Sequence, residues 1–432
     1  MRYFSTRDNR RANAATLTEA AFAGLAPDGG LYMPESIPTA DMEKVRRLGD
    51  GTFDEMASYV AGLLFGEDVD KRRLEAIVHD AFDFEIPMVT VGEGLETLQL
   101  FHGPTFAFKD VGARFMGRMI GHLNSGNGQL VVLTATSGDT GSAVARGFWH
   151  VDGVKVVVLY PEGKVSPIQE AQMATLGDNI IPVSVDGCFD DCQRLVKEMF
   201  VDKELREKVR ITSANSINIL RWMPQSFYYF HGWSKWVKAH PSEGNPDIVV
   251  PSGNYGNLAA GMLAWRMGMP VRRCIAAANA NDVVPEFLET GVYRPRPSVA
   301  TVANAMDVGA PSNFERMVAL CDGSGDALRQ LLSGCSFTDD MIREAIAQMW
   351  KDYGYVSDPH SATGYLAARR YGVRGFWLST AHPAKFPDVV EGSTGVVPSV
   401  PAAFAGILDL PRNSMRMEAS GDALRDLLKS LA

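Results

Sequence analysis

Two hydrophobic rhythms divide the chain. Over the first ninety or so residues apolar positions recur at helical spacing. There "EAAFAGLAPDGGLYMPESIP" carries a helical run to Gly24, turns through Pro27, Asp28, Gly29 and Gly30, and breaks again at Pro34 and Pro38. Helical patterns continue to about Phe84, which predicts a mostly helical N-terminal domain over residues 1–90. From about residue 97 short β-branched runs alternate with helical periodicity. "LVVLTAT" (130–136) precedes "GSAVARGFW", "VKVVVLY" (154–160) precedes "SPIQEAQMATL", and "NIIPVSV" (179–185) precedes "DDCQRLVKEMF". Later, "DIVVPS" (247–252) precedes "LAAGMLAWRMG" and "VRRCIAAAN" (271–279) precedes "VVPEFLE". Gly364 to Arg370 and the final "SGDALRDLLKSLA" read as further helices. Continuous apolar strands joined by helices predict parallel strands covered on both faces, an α/β doubly wound class in two lobes over residues 91–432.

Composition narrows the chemistry. The 432 residues are 46% hydrophobic and 22% charged, ordinary usage for a globular chain of two or three domains. Against 42 Lys and Arg stand 51 Asp and Glu, a net charge of −9 that offers no electrostatic footprint for nucleic acid or an anionic membrane. No apolar run reaches the ~18 residues of a spanning helix, and the arginine-containing start lacks the apolar core of a secretory signal. The five cysteines, Cys188, Cys192, Cys274, Cys321 and Cys335, have no zinc-site spacing and read as reduced thiols in a cytoplasmic protein. The eight histidines form no metal motif, so no metal is expected.

In doubly wound sheets ligands bind beyond the carboxyl ends of strands, beside helix N-termini. Two such turns are rich in small residues: "TATSGDTGSA" (134–143) and "PSGNYGN" (251–257). Each lets backbone amides approach an anion at the positive end of a helix dipole. Neither fits a Walker or dinucleotide fingerprint, which disfavours nucleotide chemistry. A third segment, "FHGPTFAFKDVGARFMGRMIGHL" (101–123), sets Lys109 after Phe106 and Phe108 at the start of an amphipathic helix. Aromatic surroundings and the helix dipole both favour its neutral amine, the form that condenses with an aldehyde. A lysine for an aldehyde, amides for a phosphate and a second helix terminus for a substrate carboxylate together meet the needs of pyridoxal 5'-phosphate.

The chain resembles the threonine synthases of the longer type, pyridoxal phosphate enzymes of the tryptophan synthase β-chain fold. The resemblance is carried by "GLAPDGGLYMPESIP", "LFHGPTFAFKDVGARF", "LTATSGDTGSAVA", "YPEGKVSPIQEAQM", "SANSINILRW", "VPSGNYGNLAAG", "NAMDVGAPSNFER", "DPHSATGY" and "TAHPAKFPD", spread over nearly the whole length. It implies an active site between two α/β lobes, with Lys109 bonded to the cofactor aldehyde. Gly253, Asn254, Tyr255, Gly256 and Asn257 would hold the cofactor phosphate, and Thr380 would face the pyridine nitrogen. Tyr255 stands where relatives often carry Phe. Ser137, Gly138, Asp139 and Thr140 would bind the substrate α-carboxylate, Asp139 without direct contact because two carboxylates repel. The implied substrate is O-phospho-L-homoserine, converted with water to L-threonine and phosphate in the last step of threonine biosynthesis. Its phosphate would be held by Lys164, Asn215, Ser216, Asn218 and Arg221. A serine/threonine dehydratase or a cysteine-synthase-like β-replacement enzyme shares the fold, but the full N-terminal block favours the first reading. The sequence is compatible with a monomer or a homodimer.

Overall fold

A computed structural model describes residues 1–431. Among them the chain forms β1 (Tyr3–Ser5), β2 (Tyr32–Pro34), β3 (Met88–Gly92), β4 (Leu95–Gln99), β5 (Leu130–Ala135), β6 (Val154–Pro161), β7 (Ile180–Asp186), β8 (Ile211–Ser213), β9 (Asp247–Pro251), β10 (Arg273–Ala278), β11 (Leu332–Ser336), β12 (Gly375–Ser379) and β13 (Met415–Glu418). These fall into two compact units. One combines Met1–Pro34, Lys109–Arg221 and the residues from Val400 on; the other combines Glu35–Phe108 and Trp222–Ser399. The first ninety residues are thus divided between the units. Their helices are Leu17–Ala23, Met42–Leu48, Phe53–Phe65 and Lys71–Ala81, and the first ends at Gly24, which caps it at φ +71°.

The first unit holds an all-parallel sheet in the order β13-β7-β6-β5-β8. β5 is buried along its whole length, which is why "LVVLTA" reads as a continuous apolar run instead of an alternating one. Helices Phe189–Val201 and Gly421–Ser430 bring Leu195, Met199, Leu424 and Leu428 into one core with Val131, Leu133, Val157 and Leu159. Elsewhere in the unit, helix Lys109–Leu123 crosses helix Asp139–Phe148 at glycines. A Cβ on Gly117 would lie 2.2 Å from the Gly147 carbonyl oxygen, and one on Gly147 would lie 2.7 Å from the Ala113 carbonyl carbon.

The second unit holds the order β11-β10-β9-β12-β4-β3, parallel except for the antiparallel edge strand β3. Helix Pro359–Tyr371 packs Ala362 and Tyr365 against Val249, Ile275 and Trp377. Helix Ser226–Ala239 approaches Leu98 and Phe376 at Gly232. The doubly wound α/β class expected from the sequence is the observed one. No described helix is long and apolar enough to cross a membrane.

Candidate active site

In the second unit β4, β12 and β9 are parallel neighbours, so the segments that follow them leave from one end of the sheet. The segment after β4 is stitched to the segment after β12. Leu100 N–H donates to Ser379 O (2.9 Å), Phe108 N–H to Thr380 O (2.8 Å) and His382 N–H to Phe106 O (3.0 Å). The buried Lys385 ammonium donates to Thr105 O at 2.8 Å. Phe106 sits in the left-handed region at φ +55°, a conformation that these flanking bonds hold in place. Phe108, the residue before the helix that Lys109 begins, is thereby fixed on Thr380.

Beside β12, β9 ends in the 252–257 turn. Ser252 N–H donates to Ala277 O at 2.8 Å, and Tyr255 adopts φ +60° to start helix Gly256–Arg266. Gly253 is required by close approach, because a Cβ there would lie 2.5 Å from Met306 Cα. Asn254 is committed to the loop itself: its Oδ1 accepts from Ser312 N–H (2.7 Å) and its carbonyl from Asn313 Nδ2 (3.1 Å). Asn257 is oriented by two tyrosines, its Oδ1 lying 2.6 Å from Tyr228 OH and 2.7 Å from Tyr229 OH. That leaves Asn257 Nδ2 buried without a protein partner, in the first turn of a helix whose leading amides also lack intrahelical acceptors. An unpaired buried donor is costly, and an anion bound there would satisfy it. The Tyr255 hydroxyl is also buried without a partner, and burial raises its pKa far above the usual phenol value.

In the first unit β8, β5 and β6 are adjacent and parallel, so the turns at 214–218, 136–140 and 162–166 share one sheet end. Thr136 Oγ1 accepts from Gly138 N–H (2.9 Å) and Gly141 N–H (2.8 Å), fixing the turn that begins helix Asp139–Phe148. Gly138, at φ +136°, would clash with Gln169 if it carried a Cβ. Asp139 is buried, accepts from Gln169 Nε2 at 2.9 Å and lies 3.8 Å from Lys109 Nζ. The carboxylate therefore faces the amine. This pairing favours the ammonium and opposes the helix dipole and the aromatic surroundings that the sequence predicts to favour the neutral form. Gln169 was not among the residues expected from the sequence, although Ser166-x-x-Gln169 is a legible capping box, and the structure shows both of its reciprocal bonds.

The five residues expected around a substrate phosphate separate. Lys164 is exposed in the turn after β6, and Asn215 and Ser216 lie in the turn after β8, with Asn215 Oδ1 accepting from Thr134 Oγ1 at 2.5 Å. Asn218 is different. Fully buried, it gives both amide hydrogens to backbone, Ala21 O (2.8 Å) and Ser213 O (3.0 Å), while its Oδ1 takes Leu220 N–H, so it has no donor left for a ligand. Arg221 is buried too, donates to Ala214 O at 3.0 Å and packs against Gly112; burial lowers its pKa to about 10, an effect that Asp110 partly offsets. Both side chains line the 214–218 turn from inside.

Residues 98–375 match the family model "Pyridoxal-phosphate dependent enzyme", residues 2–82 "Threonine synthase N terminus" and residues 361–428 "Threonine synthase, C-terminal". Threonine synthase of Serratia marcescens is 40% identical over the whole of both chains. Among solved structures, the PLP-bound threonine synthase from Brucella melitensis superposes with a TM-score of 0.92 at 33% identity, covering 100% of this chain and 99% of that one. The Escherichia coli threonine synthase gives 0.90 at 39% identity, with 100% of each chain covered. With its fold, its lysine-bearing helix and matches that span its length, the chain belongs to the threonine synthase family of pyridoxal-phosphate dependent enzymes.

Proposed function

We propose that this chain acts in the cytoplasm on a small molecule, converting O-phospho-L-homoserine and water to L-threonine and phosphate. The observation that carries the site assignment is the Phe108 N–H bond to Thr380 O, which fixes the residue preceding Lys109 at the end of β12, beside β9 and its 253–257 turn. The residues fit pyridoxal phosphate: the orphaned Asn257 Nδ2 and the first-turn amides suit its phosphate or ring oxygens, and Lys109 is an amine for its aldehyde. When bound, the cofactor supplies an electron sink that acidifies protons on carbons next to an attached amino group.

The chain's own residues carry the rest of the proposal. Lys109 Nζ would hold the cofactor through its aldehyde, and the same amine would move protons at the substrate Cα. Asp139, held by Gln169, keeps that amine in place and takes no part in binding the substrate carboxylate, which falls to Ser137, Gly138 and Thr140. Gly253, Asn254, Tyr255 and Gly256 would contribute backbone amides to the phosphate cradle, with the turn held in shape by the Asn254 Oδ1 bond from Ser312 N–H. The Thr380 hydroxyl would serve the pyridine nitrogen. Lys164, Asn215 and Ser216 receive the substrate phosphate, and the charge of Lys164 supplies the strongest single attraction.

Borohydride reduction of the purified protein followed by peptide mass spectrometry tests the assignment. A cofactor adduct on Lys109 is the expected result, together with phosphate release from O-phospho-L-homoserine that falls by about a thousandfold or more in Lys109→Ala. An unlabelled Lys109 in the active protein would overturn it.

A further inference from the structure

One buried carboxylate in the second unit anchors two hydrogen-bond chains, each ending on backbone that forms the candidate site. Asp358 precedes helix Pro359–Tyr371 and is 1% exposed. On one side Thr380 N–H donates to Ser361 Oγ at 2.9 Å, and the Ser361 hydroxyl donates to Asp358 Oδ2. On the other, Ala305 N–H donates to His360 Nε2 at 3.1 Å, which leaves the imidazole proton on Nδ1, where it is given to Asp358 Oδ1 at 2.8 Å. Ala305 belongs to the turn Asn304–Met306, whose Met306 backbone presses on Gly253. Asp307 secures the far side of that turn, accepting from Asn279 Nδ2 (2.7 Å) and Thr301 Oγ1 (2.7 Å).

Capping the helix asks only for acceptance from backbone amides, which Asp358 does at His360 N–H (2.9 Å) and Ser361 N–H (3.3 Å). The two side-chain bonds do something else: they fix polarity. An acceptor-only group obliges Ser361 to point its hydrogen at Asp358 and its lone pair at Thr380 N–H. It also selects the one histidine tautomer whose Nε2 can accept from Ala305. With the other tautomer, two donors would face each other at Ala305. We propose that Asp358 is a positioning residue for the reaction, holding Thr380 through Ser361 and the wall behind the 253–257 turn through His360. This rests on the roles proposed above for Thr380 and that turn.

Asp358→Asn separates the two functions, because asparagine caps helices about as well as aspartate but brings an amide donor against a chain that needs an acceptor. In the holoenzyme the expected result is a shifted visible absorption band, a shifted phosphorus NMR resonance of the bound cofactor and about tenfold weaker retention of it, in line with the loss of an outer partner of a ligating group. Each arm then has its own variant. Ser361→Ala moves the absorption band and lowers kcat with KM little changed, and Ser361→Thr restores both. His360→Asn, which reaches Asp358 but not Ala305, moves the phosphorus resonance and loosens the cofactor, and His360→Gln restores the acceptor for Ala305. If folded Asp358→Asn keeps the band, resonance and cofactor retention of the parent protein, or if all the variants lower only the melting temperature, Asp358 is a helix cap alone and the inference is wrong. A parent protein that shows neither band nor resonance would instead overturn the cofactor assignment itself.

Discussion

Asn218 and Lys164 carry the same expectation from sequence, a hand in binding the substrate phosphate, and their surroundings separate them. Removing the Asn218 amide strips donors from two buried carbonyls and the acceptor from Leu220 N–H. At roughly 1–3 kcal/mol for each buried group left unsatisfied, Asn218→Ala should lose several kcal/mol in urea denaturation while the KM for substrate stays within about twofold. The exposed Lys164 should show the reverse. Lys164→Ala leaves the unfolding midpoint unchanged and raises KM by about tenfold, the worth of one charge-assisted contact. Equal KM values for the two variants would contradict this division.

Helices Lys109–Leu123 and Asp139–Phe148 owe their contact to what Gly117 and Gly147 lack. Alanine is a better helix former than glycine by about 1 kcal/mol, so propensity alone predicts that Gly117→Ala stabilises. The 2.2 Å approach of its new Cβ to the Gly147 carbonyl decides otherwise. The helices must part, at a cost of about 1–3 kcal/mol for overpacking, and the shift also disturbs the Lys109–Asp139 pair. Thermal melts should fall and the cofactor absorption should change together; a raised melting temperature would contradict the close crossing. Elements differ in how openly the sequence announces them. β5, β6, β9 and β10 are legible because strands covered on both faces are mostly apolar, with charges only at Lys155, Asp247 and Arg273. β11, "LSGCS", is half polar, and β12 is a five-residue strand opening on Gly375, so neither stands out before its neighbours are known. In the site, Lys109 and the 253–257 turn are local patterns. By contrast, Asp358 and His360 matter only through Ala305 and Thr380, partners that no local pattern in the sequence indicates.

Two histidines contribute to the response of the molecule to acid. Burial lowers the pKa of His231 to about 4, with Lys235 adding to the effect. Burial also lowers that of His382 to about 4, helped by His102 and Lys385 and opposed by Asp358. Between about 4 and the ordinary 6.5 the unfolded chain binds protons that the folded one refuses, so stability rises with pH across that window and is lost as pH falls through it. Each imidazole contributes at most about 1.4 kcal/mol per pH unit. Denaturation midpoints compared at pH 7 and pH 5 should drop on acidification. The drop should shrink in His382→Asn, which keeps the acceptor for Ala384 N–H without a titrating ring. A different consequence follows from β13, the edge strand that closes the first unit's sheet on β7. During synthesis on the ribosome β7 emerges long before β13, with Val183 and Val185 on a pairing edge still awaiting its last partner. That unit therefore completes its sheet only after the strands of the second unit have been synthesised, and until then the β7 edge stays open to wrong pairing.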